Sequence, residues 1–246
     1  MKLFDLKKKY DETDKPSDIL SPLSPFSFKE AYKMLRTNLS FVSMNGKFKK
    51  IIITSAVPNE GKSTVAINLA ATLAETGSRV ILIDCDLRNP STHRNLRFEN
   101  KSMKGLTSLL AGTSKLEDGN NFSHHKLKFD FIPAGAIPPN PAELLASPMM
   151  NDLLKALEMG YDYIIMDTPP VGVVTDAAAL SRFSHGVIMV IRQKFSTKDQ
   201  VHVAKANLDS VKAKIIGTVL SRYNLEEDGR GNGKYNYYQY NYEGND

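Results

Sequence analysis

The residues best suited to chemistry lie at 56–64, Ala56-Val57-Pro58-Asn59-Glu60-Gly61-Lys62-Ser63-Thr64. A Walker A loop is a glycine, four residues, then Gly-Lys-Ser/Thr. Gly61-Lys62-Ser63 supply the end, and Ala56 stands where the first glycine usually sits. The chemistry tolerates that change if Ala56 keeps φ < 0. Backbone N–H groups from Asn59 and Glu60 to Thr64 can wrap a phosphate. The helix that starts there points its positive end at the anion. Lys62 reaches the outer phosphates, and the Ser63 hydroxyl can ligate Mg²⁺. The loop predicts binding of a nucleoside triphosphate with Mg²⁺.

Asp84 ends the apolar run Val80-Ile81-Leu82-Ile83, and Asp86 and Arg88 follow it. Asp167 ends Tyr163-Ile164-Ile165-Met166, reads as Walker B, and precedes Thr168-Pro169-Pro170. In an open parallel sheet, ligands bind outside the carboxyl ends of the strands. Asp84 and Asp167 should then face the crevice of the phosphate loop, where a carboxylate can hold Mg²⁺ directly or through water. A turn or N-cap role is the alternative for each aspartate, and for Asp86 the two readings stand about level. Arg88 should bond phosphate or pair with Asp86.

A third group lies at the end of the chain. Of ten tyrosines, Tyr235, Tyr237, Tyr238, Tyr240 and Tyr242 fall within the last twelve residues. One reading is a sticky aromatic tail. The other is a phosphoacceptor tail, whose modification would add close, mutually repelling charges.

These groups need a scaffold. Ile51–Ser55, Val80–Asp84, Phe129–Pro133, Tyr163–Asp167, Gly186–Ile191 and Ile215–Leu220 read as strands, several of them continuous apolar runs buried on both faces. Helices are expected over about 62–76, closed by Gly77, and over about 148–159. Others start at Asn140-Pro141, with the asparagine as N-cap, near Asp176, and at Thr197, where Gln200 completes a capping box. Ser27-Phe28-Lys29-Glu30 has capping-box spacing as well, and Gly46 is a stop. Phe28, Ala31, Leu35, Leu39 and Val42 follow at helical spacing and should face inward. The β-α alternation predicts an α/β fold of the P-loop NTPase type, a mostly parallel central sheet with helices on both faces. Residues 88–127 read as a loop and short-helix insertion. The chain divides into an N-terminal arm (1–26), a nucleotide-binding domain (27–224) opening on a helix at 27–45, and a disordered tyrosine-rich tail (225–246).

Composition narrows the function class. The 246 residues are 41% hydrophobic and 24% charged, with a net charge of +5, as in an ordinary globular domain. Much of the excess charge is the cluster Lys2, Lys7, Lys8 and Lys9, read as a solvated tail with at most weak attraction to an anionic membrane face. Nucleic-acid binding would need a larger basic surface. The single cysteine, Cys85, excludes an internal disulfide and reads as core packing. No apolar run approaches the ~20 residues that span a bilayer, and the N-terminus lacks a signal-peptide apolar region.

Together these residues resemble the bacterial tyrosine kinases of capsule and exopolysaccharide synthesis, in their cytoplasmic Gram-positive form, from Ser27 to the tail. Val80–Arg88 looks like that family's Walker A′ and Tyr163–Pro170 like its Walker B. Pro138-Pro139-Asn140-Pro141 with Leu144-Leu145 resembles a further signature, and the tyrosine tail its autophosphorylation cluster. The resemblance implies transfer of the ATP γ-phosphoryl group to tyrosine, with Mg²⁺ held by Ser63, Asp84 and Asp167. It implies Lys62, Asp84 and Asp86 as catalytic groups, acting on neighbours in a ring-shaped oligomer and on other proteins. It further implies a transmembrane polysaccharide co-polymerase-type adaptor at the inner membrane face and an opposing protein-tyrosine phosphatase. The family's Glu-x-x-Arg-x-x-Arg oligomer motif falls on Glu30, Lys33 and Arg36, with lysine for the first arginine. Base recognition falls at Ser221 and Arg222, where many relatives carry asparagine at 221. Two alternatives share the phosphate loop: a partitioning or division-site switch ATPase, and a non-catalytic nucleotide-binding scaffold. Val57 occupies the position where the switch ATPases usually carry a lysine.

Overall fold

The computed structural model describes residues 19–43, 48–96, 104–116 and 128–223. The tyrosine cluster, most of the N-terminal arm and the expected stop at Gly46 lie outside them.

Six strands form one all-parallel sheet: β1 (Lys50–Ser55), β2 (Val80–Asp84), β3 (Asp130–Ile132), β4 (Tyr163–Asp167), β5 (Gly186–Arg192) and β6 (Ile215–Ser221), in the order β3-β2-β4-β1-β5-β6. The β-branched runs end up where period-two packing demands. Ile51 and Ile53 face one layer with Leu82, Phe131 and Ile165, while Ile52 faces the other with Ile81, Ile83, Ile164 and Met166. Each such buried aliphatic contributes about 1.5–3 kcal/mol.

Helices α1 (Phe26–Val42) and α2 (Lys62–Ala74) cover the first face. The second carries α4 (Leu106–Leu110), α5 (Pro141–Leu145), α6 (Pro148–Gly160), α7 (Asp176–Ser181) and α8 (Lys198–Ser210), while the short α3 (Thr92–Asn95) follows β2. Gly77, at φ 85°, adopts the left-handed conformation just after α2. The Thr197–Gln200 capping box forms in full at the start of α8. Asn140 precedes α5 at the N-cap position, but its side-chain amide donates to Glu143 at 2.7 Å instead of capping the helix.

The N-terminal region differs from expectation in three ways. First, the capping box at Ser27 does not form. Pro25 takes the N-cap position two residues earlier, its carbonyl accepting from the Lys29 N–H at 3.1 Å, and no side chain caps α1. Glu30 pairs with Lys33 instead, at 2.7 Å. Second, Tyr32 and Leu39 are the buried residues of α1, whereas Ala31 and Val42, expected to face inward, are exposed. Third, residues 19–25 are not a free arm. The Leu20 N–H donates to the buried Asn68 Oδ1 of α2 at 2.8 Å, and Ile19 packs on that layer.

Candidate active site

The phosphate loop joins β1 to α2. Asn59 (φ 64°) and Gly61 (φ 88°) are both left-handed, and Ala56 is absent from the positive-φ residues, as its place in the loop requires. Gly172 presses against Ala56, and a Cβ there would lie 2.3 Å from the Ala56 carbonyl oxygen. The Glu60 side chain is wholly buried and organises the loop from within. Its Oε2 accepts from the Ala56 and Val57 N–H groups at 2.8 and 2.9 Å. Its Oε1 accepts from the Ser196 hydroxyl at 2.7 Å and the Arg192 N–H at 3.2 Å. This leaves only the Glu60 backbone for phosphate. Charge-assisted bonds of this kind are worth about 1.5–3 kcal/mol each. Glu60→Gln should lower the urea midpoint and weaken ADP binding together, because an amide cannot accept at every position the carboxylate fills. Denaturation and ADP titration of one preparation check this.

Register brings the two strand-end aspartates together. Asp84 and Asp167 are paired residues of neighbouring strands β2 and β4, and both are fully buried. Asp84 Oδ1 accepts from the Asp86 N–H at 3.2 Å, and Asp167 Oδ2 accepts from the buried Thr92 hydroxyl at 2.7 Å. Asp84 Oδ2 and Asp167 Oδ1 have no hydrogen-bond partner. Burial, then the charge of Asp167, raises the Asp84 carboxyl well above the ordinary range. Burial raises Asp167 too, opposed by the Lys62 charge and by the hydrogen bond from Thr92.

Lys62, first residue of α2, lies 3.7 Å from Asp86 Oδ2, with both side chains largely buried. Asp86 Oδ1 also accepts from the Asn89 N–H at 3.0 Å, a turn that fixes the loop after β2. Asp86 and Asp167 therefore face the Lys62 ammonium, with Asp84 beside Asp167. Two orphaned buried carboxylate oxygens in that setting fit a divalent cation completed by Ser63, phosphate and water. Among the described residues no group of three or more His, Cys, Asp or Glu forms a closed metal site.

Arg88 does not pair with Asp86. Its guanidinium makes a bidentate pair with Asp176, the first residue of α7, at 2.9 and 2.9 Å. The fork geometry favours a planar carboxylate, and the Asp176 side chain is wholly buried. Arg222, at φ 50°, lines a groove of about 550 Å³ with Gly61, Thr64, Phe28, Tyr32 and Val219. The Ser221 hydroxyl donates to the Glu60 carbonyl at 2.5 Å, so it serves the phosphate loop. In α1, Glu30 and Lys33 pair on the exposed surface, while Arg36 donates to the Thr72 carbonyl of α2 at 2.9 Å. Cys85 is fully buried, and burial beside the Asp84 and Asp167 charges raises its thiol well above normal, as core packing requires.

The sequence reading missed the Glu60 side chain with Ser196, the Thr92 bond to Asp167, and Asp176 as the partner of Arg88. Asp176 carried a signal only as a helix start, and Thr92 carried none.

Comparison with known proteins agrees with this geometry. The family described as AAA domain matches residues 48–216. Tyrosine-protein kinase YwqD of Bacillus subtilis is 40% identical over 209 residues, covering 85% of each chain. The kinase domain of Escherichia coli tyrosine kinase ETK superposes with a TM-score of 0.74 at 34% identity, over 82% of this chain and 81% of that one. The septum site-determining protein MinD of Pyrococcus horikoshii, in complex with Mg-ADP, shares the fold at a lower TM-score of 0.59 and 27% identity, over 72% of this chain and 71% of its own. Val57, where the switch ATPases usually carry lysine, instead packs against the hydrophobic core. The chain belongs to the bacterial protein-tyrosine kinases of capsule and exopolysaccharide synthesis.

Proposed function

We propose that this site transfers the ATP γ-phosphoryl group to the tail tyrosines Tyr235, Tyr237, Tyr238, Tyr240 and Tyr242 of a neighbouring copy. The observation that carries the reading is the pair of orphaned oxygens on Asp84 and Asp167 beside the phosphate loop. Ser63, Asp84 and Asp167 are the residues that would hold Mg²⁺. An ion held by these residues would supply charge neutralisation for the phosphates. The N–H groups of residues 59–64 and the start of α2 hold the phosphates. Lys62 leaves Asp86 for the outer phosphates and offsets charge on the transferring group. Asp86, so freed, orients the tyrosine hydroxyl and takes its proton as the phenolic oxygen bonds phosphorus. The bond from phosphorus to the bridging oxygen breaks, and ADP departs. Most of the rate comes from positioning and electrostatics.

The groove between α1 and β6, with Thr64 and Arg222, offers room for the base. Glu30, Lys33 and Arg36 on α1 would form the contact between copies, with Arg36 first released from the Thr72 carbonyl. Among the described residues no helix is long and apolar enough to cross a membrane. Placement at the inner membrane face would come through a transmembrane co-polymerase-type adaptor. A protein-tyrosine phosphatase would reset the tail, and further proteins would serve as substrates.

Incubation with ATP and Mg²⁺, then mass spectrometry of the tail, separates the possibilities. Phosphotyrosine within 235–242 is the expected result. ADP formation without phosphotyrosine would instead indicate a switch ATPase, and neither product a scaffold.

A further inference from the structure

We infer that the Arg88–Asp176 pair is a positioning device that holds Asp86 at the reacting phosphate once Lys62 has moved away. The inference rests on the proposed role of Asp86.

The Asp86 carboxylate has two kinds of restraint in this structure, besides the backbone N–H of Asp86, which donates to Asp84 Oδ1 at 3.2 Å. One is electrostatic, the Lys62 ammonium at 3.7 Å. The other is its own loop, through the Asn89 N–H at 3.0 Å. Nucleotide binding draws Lys62 to the phosphates and removes the first. The second then depends on what anchors the loop from Asp86 to Asn89. Arg88 supplies that anchor, because its two parallel bonds to Asp176 fix direction as well as distance.

The post to which it is fastened is rigid. Asp176 is fully buried at the start of α7, and the segment leading to it is tied to β1 and the phosphate loop. The Val171 N–H donates to the Ser55 carbonyl at 2.9 Å, and the Thr54 hydroxyl donates to the Pro169 carbonyl at 2.8 Å. Gly172 admits the Ala56 carbonyl where any side chain would collide. The chain of contacts therefore runs from the loop that holds phosphate, through residues 169–176, to Arg88 and so to Asp86. It sets the distance between the phosphate and the proposed base without Arg88 touching either. Lysine cannot replace Arg88 in this role, since it keeps the charge but loses the fork.

The test uses the full chain carrying Arg88→Lys, Arg88→Gln, Asp86→Asn and Asp86→Asn with Arg88→Gln. ADP affinity is measured by fluorescence titration, and kcat and KM on a tyrosine peptide at saturating ATP. Both Arg88 variants should bind ADP within about twofold of the parent, with kcat lower by about 100-fold. The double variant should be no slower than Asp86→Asn alone, because both act through one group. Multiplying losses in the double variant would overturn the inference while leaving the role of Asp86 intact. Unchanged kcat in Asp86→Asn would instead remove the reading on which it rests. Should Arg88→Gln expose the buried Asp176 and unfold, Arg88→Lys, which keeps the charge, decides the matter. Parent-like kcat in folded Arg88→Lys would refute a role for the fork.

Discussion

Lys62→Met should lower tail phosphorylation by about 10²–10³-fold or more, the range for removing one preorganised group that stabilises transition-state charge. The ammonium has two duties that a thioether cannot perform. It offsets charge on the transferring phosphoryl group, and before nucleotide binds it balances Asp86 in a largely buried pocket. Removing it takes away the ammonium that lies 3.7 Å from Asp86 and opposes protonation of Asp167. Burial of uncompensated like charges is costly. Asp167 of the variant should therefore take up its proton at a higher pH than in the parent, because the Lys62 charge opposes that uptake, besides the loss of activity. An anti-phosphotyrosine blot reads the first effect and a proton-uptake titration the second. A strong blot from the purified variant would remove Lys62 from the mechanism.

Asp84→Asn should separate stability from activity. Burial and the Asp167 charge raise the Asp84 carboxyl well above the ordinary carboxylate range in the folded chain. The unfolded chain returns it to about 3.9. Between those two values the native state holds a proton that the unfolded state does not. The stabilisation is therefore complete below the unfolded value and is lost as pH rises through the folded value. An asparagine does not suffer that loss. Without nucleotide or metal, Asp84→Asn should melt several degrees above the parent near about pH 8, with a smaller gap near about pH 5. Its kinase activity should fall by about 10²–10³-fold. Mg²⁺ with ADP should raise the melting point of the parent more than that of the variant, since ligands stabilise the state they bind. Calorimetry at the two pH values, with and without Mg²⁺ and ADP, checks every part. A variant less stable than the parent at the higher pH would contradict the like-charge account of the site.

Such a trade between stability and function explains which parts of the site could be read directly from the sequence. The strands could be, because continuous β-branched runs such as Ile51-Ile52-Ile53 suit a sheet covered on both faces. Asp84 and Asp167 could be placed because each ends such a run, and parallel register then sets them side by side. Lys62 and Ser63 were visible through loop spacing alone. Partners far apart in sequence were not. Arg88 and Asp176 are 88 residues apart, and Thr92 and Asp167 are 75. No local pattern reports which buried carboxylate an arginine will find. Glu60 reads as one more polar loop residue, yet it is wholly buried because the loop closes around its carboxylate. Ser27-x-x-Glu30 has the right capping chemistry, but the φ restraint of Pro25 and the pull of Lys33 on Glu30 win locally. The exposure of Ala31 and Val42 has a similar origin. Helical spacing identifies a stripe, whereas the contact of α1 with α2 selects Tyr32 and Leu39.

The most direct test of the account mixes two full-length variants with ATP and Mg²⁺. One carries Lys62→Met and keeps its tyrosine tail. The other keeps the phosphate loop and has phenylalanine at 235, 237, 238, 240 and 242. Neither should accumulate tail phosphotyrosine alone. The mixture should show phosphotyrosine on the tail of the Lys62→Met copy, delivered by the intact site of its neighbour. ADP accumulating in the mixture while that tail stays unmodified would contradict transfer between copies.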